Sequence, residues 1–179
     1  AVTNGAAMYL GSSGTVDVLH NTIANPTVGA GAAIYVGGGT VNMTNTIVAS
    51  YTVGVSAPNP LNVTSDYNLF YNAPTAIDIG AHSIVGSDPI FVDPLNGDYH
   101  LGAESPAIDV GVNAGVTIDL DGDARPQGRG YDIGYDEVLQ QCSLSTGVPY
   151  VFDSPAITLT FSNLGSISCA AAVYFPRAQ

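Results

Sequence analysis

Two stretches of this chain copy each other, and the copies constrain its fold more than any other feature. Gly5-Ala6-Ala7-Met8-Tyr9-Leu10 returns as Gly31-Ala32-Ala33-Ile34-Tyr35-Val36, a step of 26 residues. Asn21-Thr22-Ile23 returns as Asn45-Thr46-Ile47 after 24 residues, and a looser copy, Asn68-Leu69-Phe70, follows after 23. Between these anchors lie Thr15-Val16-Asp17-Val18, Thr40-Val41-Asn42-Met43 and Leu61-Asn62-Val63-Thr64. Apolar and polar residues alternate within each unit, and the alternation is broken by Gly11-Ser12-Ser13-Gly14, Gly37-Gly38-Gly39 and Asn-Pro pairs. A period of two means strands.

Units this short cannot bury a face alone, so they must stack on one another. Leucine-rich repeats have a similar length, but their Leu-x-x-Leu-x-Leu pattern is missing. An all-β parallel β-helix fits, with like residues of successive windings about 4.8 Å apart. In that arrangement Ile23, Ile47 and Phe70 are expected to form one inward ladder, Val16, Val41 and Leu61 a second, and Val18, Met43 and Val63 a third. Asn21, Asn45 and Asn68 are expected to stack at a corner, their amides bonding the windings above and below; the alternative is three solvated turn residues.

Charge restricts the partners. Charged residues make up 10% of the chain, against roughly 25% in ordinary domains, and the net charge is −12. Lysine is absent, and the arginines are Arg125, Arg129 and Arg177. Nucleic acid needs cations to neutralise phosphate, and anionic membranes need them too. That leaves a second copy, another surface chain, or glycans as partners. No apolar run is long enough to span a bilayer. Cys142 and Cys169 are the two cysteines, and in an exported chain a disulfide is expected, two separate thiols being the alternative.

After residue 86 the motifs become distinctive: Ser87-Asp88-Pro89-Ile90-Phe91-Val92-Asp93-Pro94, Asn96-Gly97-Asp98-Tyr99-His100-Leu101, Ser105-Pro106-Ala107-Ile108-Asp109, Asp119-Leu120-Asp121-Gly122-Asp123-Ala124-Arg125-Pro126 and Tyr131-Asp132-Ile133-Gly134-Tyr135-Asp136-Glu137. Over residues 5–137 the chain resembles the closing part of bacterial secreted right-handed β-helix proteins of the choice-of-anchor Q type, within the pectate-lyase-like superfamily. The resemblance implies a right-handed coil, export, and an extracellular or cell-surface setting. It implies no activity, because this fold carries enzymes and inert shafts alike. The expected organisation is β-helix coils over 1–86, closing coils over 87–137, and a small β-rich extension over 138–179. The first unit begins within a repeat, so its exposed strand edges are expected to be covered by an upstream segment, a partner chain or a head-to-tail copy.

The chemistry legible in the sequence is sparse. Residues 1–86 hold Asp17, Asp66 and Asp78 as acids and no Lys or Arg, which speaks against a self-contained lyase site there. His20, His82 and His100 are read as surface or turn residues. Arg125 is expected to pair with Asp109, Asp121 or Asp132. Tyr99, Leu101, Ile108, Ile118, Leu120 and Ile133 are expected to fill the last turns. Asp119, Asp121 and Asp123 are the metal candidates, as alternate carboxylates that could converge on calcium; a solvated acidic turn is the competing reading, and no other cofactor is expected. Tyr9, Tyr35, Tyr51, Tyr67 and Tyr71 are candidates for stacking on sugars, against the plainer reading that they pack at corners. A structural or adhesive role without catalysis is the favoured function; a carbohydrate-binding or polysaccharide-degrading protein is the alternative.

Overall fold

The computed structural model describes residues 6–11 and 13–139. Cys142, Cys169 and all but the first two residues of the expected extension lie outside the described residues. Ten strands follow in chain order: β1 Met8–Leu10, β2 Thr15–Leu19, β3 Thr22–Val36, β4 Thr40–Thr44, β5 Ile47–Ser56, β6 Val63–Asp66, β7 Leu69–Tyr71, β8 Ile84–Val85, β9 Phe91–Asp93 and β10 Asp98–Leu101. The only helical pieces among the described residues are two 3-10 turns, Pro60–Asn62 and Pro94–Asn96. No helix there is long and apolar enough to cross a membrane.

The strands form two open parallel sheets and one antiparallel pair. The first sheet runs β1-β3-β5-β7-β8 and the second β2-β4-β6. From β1 to β7 the strands alternate between the two sheets along the chain, and β8 joins the first sheet alone. In the second sheet Thr15-Val16-Asp17-Val18 lies residue for residue on Thr40-Val41-Asn42-Met43. Val18, Val41 and Met43 point inward and are buried, while the outward residues bond along the stack. Thr15 Oγ1 and Thr40 Oγ1 share a hydrogen bond of 2.8 Å, and Asn42 Nδ2 donates to Asp17 Oδ1 at 2.7 Å.

The register departs from the expected ladders by one residue in the first sheet. Ile23 pairs with Val48, which pairs with Phe70; Ile47 instead pairs with Thr22 and Leu69. In the second sheet Val16 does pair with Val41, but the third member is Val63, and Met43 pairs with Ser65. Leu61 sits in the 3-10 turn and is 90% exposed. Leu61→Ser is therefore expected to change stability by less than about 0.5 kcal/mol. Val63→Ser is expected to cost about 2 kcal/mol, through lost apolar burial and an introduced hydroxyl. Chemical denaturation of the two variants checks the register; equal effects would contradict it.

The corner between the sheets explains the shift. His20, Asn45 and Tyr67 occupy equivalent places, two residues before β3, β5 and β7, and all three are left-handed, with φ of 49°, 52° and 56°. Asn21, Thr46 and Asn68 follow them. The three asparagines thus do not form one column. Asn21 Nδ2 bonds locally to Leu19 O, Asn45 bonds His20 of the preceding repeat and Val112, and Asn68 bonds Thr46 N–H and Met43 O of the repeat before its own.

Alternation along β5 and β7 directs side chains to both faces of the first sheet. Ile23, Val48 and Phe70 join Val18, Val41, Met43 and Val63 in the core between the two sheets. Ile47 and Leu69 face the other way, into a second core with Leu101, Ala107 and Ile133. This second core fastens the segment after β8. There the pairing becomes antiparallel, between β9 and β10 and at the bridges Gly111–Tyr131 and Ile118–Ala124. Leu101 and Ile133 are buried as expected, but Ile118 and Leu120 are 59% and 76% exposed.

Candidate functional site

A protrusion on the first sheet makes a groove. Between Ala24 and Gly29, β3 carries three more residues than β5 does between Ala49 and Tyr51, so Asn25-Pro26-Thr27-Val28 bulges out. Asn25 Nδ2 holds the bulge to Ser50 O at 3.3 Å. Opposite stand Asp88, Pro89, Ile90 and Phe91, and Ala49, Ser50, Tyr71 and Asn72 line the groove with them, enclosing about 500 Å3. Tyr71 is the one sugar-stacking candidate in this groove. Tyr9 and Tyr35 stack on each other in neighbouring windings, centroids 5.5 Å apart. Tyr51 is buried, and Tyr67 stacks on His82 at 4.5 Å. The five tyrosines therefore do not share a surface.

The acids of the closing motifs mostly serve the backbone. Asp119 Oδ1 accepts from the N–H groups of Asp121 and Asp123, and Oδ2 from that of Glu137. Asp109 Oδ1 accepts from Arg129 and Gly130, and Asp132 from Asp109 and Val138. Among the described residues Asp121 clusters with His100 and Asp136 rather than with Asp119 and Asp123. Arg125 also differs from expectation: its partner is Glu137, at 2.8 Å, with both side chains 1% exposed. The sequence pointed to Asp109, Asp121 or Asp132, but two of these are held by backbone donors and Asp121 by a histidine.

That histidine is His100. In β10 the i, i+2 spacing places Asp98 and His100 on one side of the strand. His100 Nδ1 meets Asp98 Oδ1 at 2.5 Å, and Nε2 meets Asp121 Oδ2 at 2.8 Å. The edge-on Tyr135 ring packs beside it, centroids 5.4 Å apart. Asp136, buried and bonded to Leu101 N–H, completes the cluster. Ligand atoms of His100, Asp121 and Asp136 lie within 4.8 Å of one another. Hydrogen bonds that His100 donates to Asp98 and then to Asp121 favour the imidazolium and raise the His100 pKa to about 9. Burial, first of all, pushes the Asp136 carboxyl up. The spacing Asp98-x-His100 was the available signal, since it predicts a shared strand face. The approach of Asp121 depends on the fold.

His20 also departs from the surface reading. It is 6% exposed, and its Nε2 lies 2.8 Å from Asn45 Nδ2, near Tyr131. Burial and then the Arg125 charge lower its pKa to about 4. The folded value lies below the ordinary 6.5, so folding favours neutral His20. Its contribution is complete above pH 6.5 and is lost as pH falls from 6.5 toward 4. Side-chain NMR is expected to show midpoints near 4 for His20 and near 9 for His100, the latter falling in Asp98→Asn. A His20 midpoint near 6.5 would contradict its burial. His82 behaves as a surface residue, exposed and paired with Asp66 at 2.8 Å.

Compared with protein-family models, curated proteins and solved structures, the chain matches none.

Proposed function

We infer that this chain belongs to a secreted, cell-surface right-handed β-helix of the choice-of-anchor Q type, with a structural and adhesive rather than catalytic role. One observation carries the reading: successive repeats stack strand on strand in two parallel sheets, with outward side-chain bonds joining β2 to β4. Such a stack is a stiff spacer with long flanks. The occupation of Asp109, Asp119, Asp132 and Glu137 by backbone donors supports it, because these acids hold the chain closed. The full chain, incubated with acidic and neutral polysaccharides, is expected to release neither unsaturated nor new reducing ends. Sustained release by the purified chain would overturn the reading.

The groove favours glycan binding as a second reading. An aromatic ring and Pro26 can pack against sugar C–H faces, while Asn25, Asn72 and Asp88 offer polar atoms to hydroxyls. In that case a polysaccharide is retained without turnover, and Tyr71→Ala weakens retention roughly 10-fold, equivalent to about 1.4 kcal/mol. Tyr9→Ala, outside the groove, leaves it unchanged. Affinity electrophoresis distinguishes the two.

A further inference from the structure

We propose that His100, Asp121 and Asp136 form a binding site for one divalent transition-metal ion, with Asp98 orienting the histidine. The proposal is independent of the structural role inferred above.

The donor set suits a metal ion. One imidazole nitrogen and two carboxylate oxygens come within 4.8 Å of one another, the convergence a single ion requires. Calcium prefers six to eight oxygens, whereas imidazole with carboxylate suits zinc and its neighbours. The second argument is orientation. Metal-binding histidines commonly give their other N–H to a carboxylate, which fixes the tautomer. Asp98 does this at Nδ1, so Nε2 is the nitrogen turned toward Asp121. The third is Asp136. It is more than nine-tenths buried, and Leu101 N–H engages one of its oxygens. Its other oxygen makes no hydrogen bond among the described residues and is open to solvent, and the carboxylate lies beside His100 and Asp121.

The Nε2–H of His100 points to Asp121. An incoming ion takes that position: Nε2 loses its proton to solvent and donates its lone pair to the metal, and the Asp121 oxygen changes from hydrogen-bond acceptor to ligand. The His100 and Asp121 side chains are 42% and 49% exposed, so water can reach the remaining coordination positions. His82 with Asp66 makes a similar contact, but no second carboxylate joins it in a ligand cluster among the described residues. It serves as an internal control.

The test uses the full chain, stripped with EDTA and dialysed, titrated with zinc chloride by calorimetry and with cobalt chloride by absorption. One zinc per chain is expected. Asp121→Asn, on a half-exposed side chain, and His100→Gln are each expected to weaken binding at least 10-fold, and Asp98→Asn roughly 10-fold. His82→Gln should bind as the parent does. The cobalt spectrum should show nitrogen and oxygen donors without thiolate charge transfer. Circular dichroism of each variant without metal confirms its folding, and Asp121→Asn keeps the test decisive if His100→Gln unfolds. Absence of saturable binding, undiminished binding in Asp121→Asn, or a thiolate band from Cys142 or Cys169 would each overturn the proposal.

Discussion

Arg125→Met is expected to destabilise the folded chain by about 3–5 kcal/mol, the usual consequence of removing one member of a buried ion pair. Its guanidinium donates to Glu137 Oε2 at 2.8 Å, to the carbonyls of Gly134 and Tyr135, and to that of Asp136. Without it Glu137 remains as a buried charge with no counterion, and three carbonyls lose a donor. Glu137 is itself a junction: Oε1 accepts from Gln127 N–H and Oε2 from Asp132 N–H. One ion pair thus joins the two closing motifs, and the segment they form covers Ile47 and Leu69 through Ile133. With a urea m-value of about 2 kcal/mol/M, the unfolding midpoint should fall by roughly 2 M.

Replacing both partners separates the roles of charge and hydrogen bonding. Exchanging a buried pair for apolar residues is often neutral. Here Arg125→Met with Glu137→Leu should not recover the loss, because Gln127 and Asp132 N–H groups would remain without acceptors at about 1–3 kcal/mol each. A double variant as stable as the parent would show that these N–H groups find water or another acceptor.

The architecture was legible where alternation was intact. Thr15-Val16-Asp17-Val18 and Thr40-Val41-Asn42-Met43 face solvent on one side, so their polar and apolar residues fix a register of 25 that the structure keeps. In Ile47-Val48-Ala49 the signal fails, because these three residues are all apolar and all buried, two on one face of the sheet and one on the other. Matching Asn-Thr-Ile by identity then placed Ile47 one residue out of step, and one residue reverses every side chain. The parallel all-β organisation survives that error, but the assignment of residues to cores does not. The site was less legible for a different reason. Carboxylates that accept backbone N–H bonds, as Asp119 does, look the same in sequence as carboxylates free to bind a cation. Only the path of the chain between residues 98 and 136 brings His100 to Asp121.

Asn68→Ala is expected to cost about 3 kcal/mol, although it removes only a small polar group. The side chain is fully buried, and its amide uses both ends. Oδ1 accepts from Thr46 N–H at 2.8 Å, while Nδ2 reaches Met43 O, Asp66 O and Ser65 Oγ at 2.9, 2.9 and 3.0 Å. Two of these partners belong to the preceding winding. The left-handed residues at the corner, Asn45 and Tyr67, turn their peptides out of the ladder between the sheets, and Asn68 supplies what the ladder cannot. Truncation leaves Thr46 N–H and at least one carbonyl unpaired in a dry corner, each at about 1–3 kcal/mol. Asn68→Asp should be at least as harmful, since a carboxylate would face the carbonyls of Met43 and Asp66 with no hydrogen to offer. Asn21→Ala is the contrast: Asn21 is half-buried and the one bond of its side chain among the described residues is to Leu19 O nearby, so its loss should stay near 1 kcal/mol. Urea unfolding of the three variants measures the difference. Equal losses at positions 21 and 68 would mean that the corner is held by the backbone alone and that the amide adds nothing between windings.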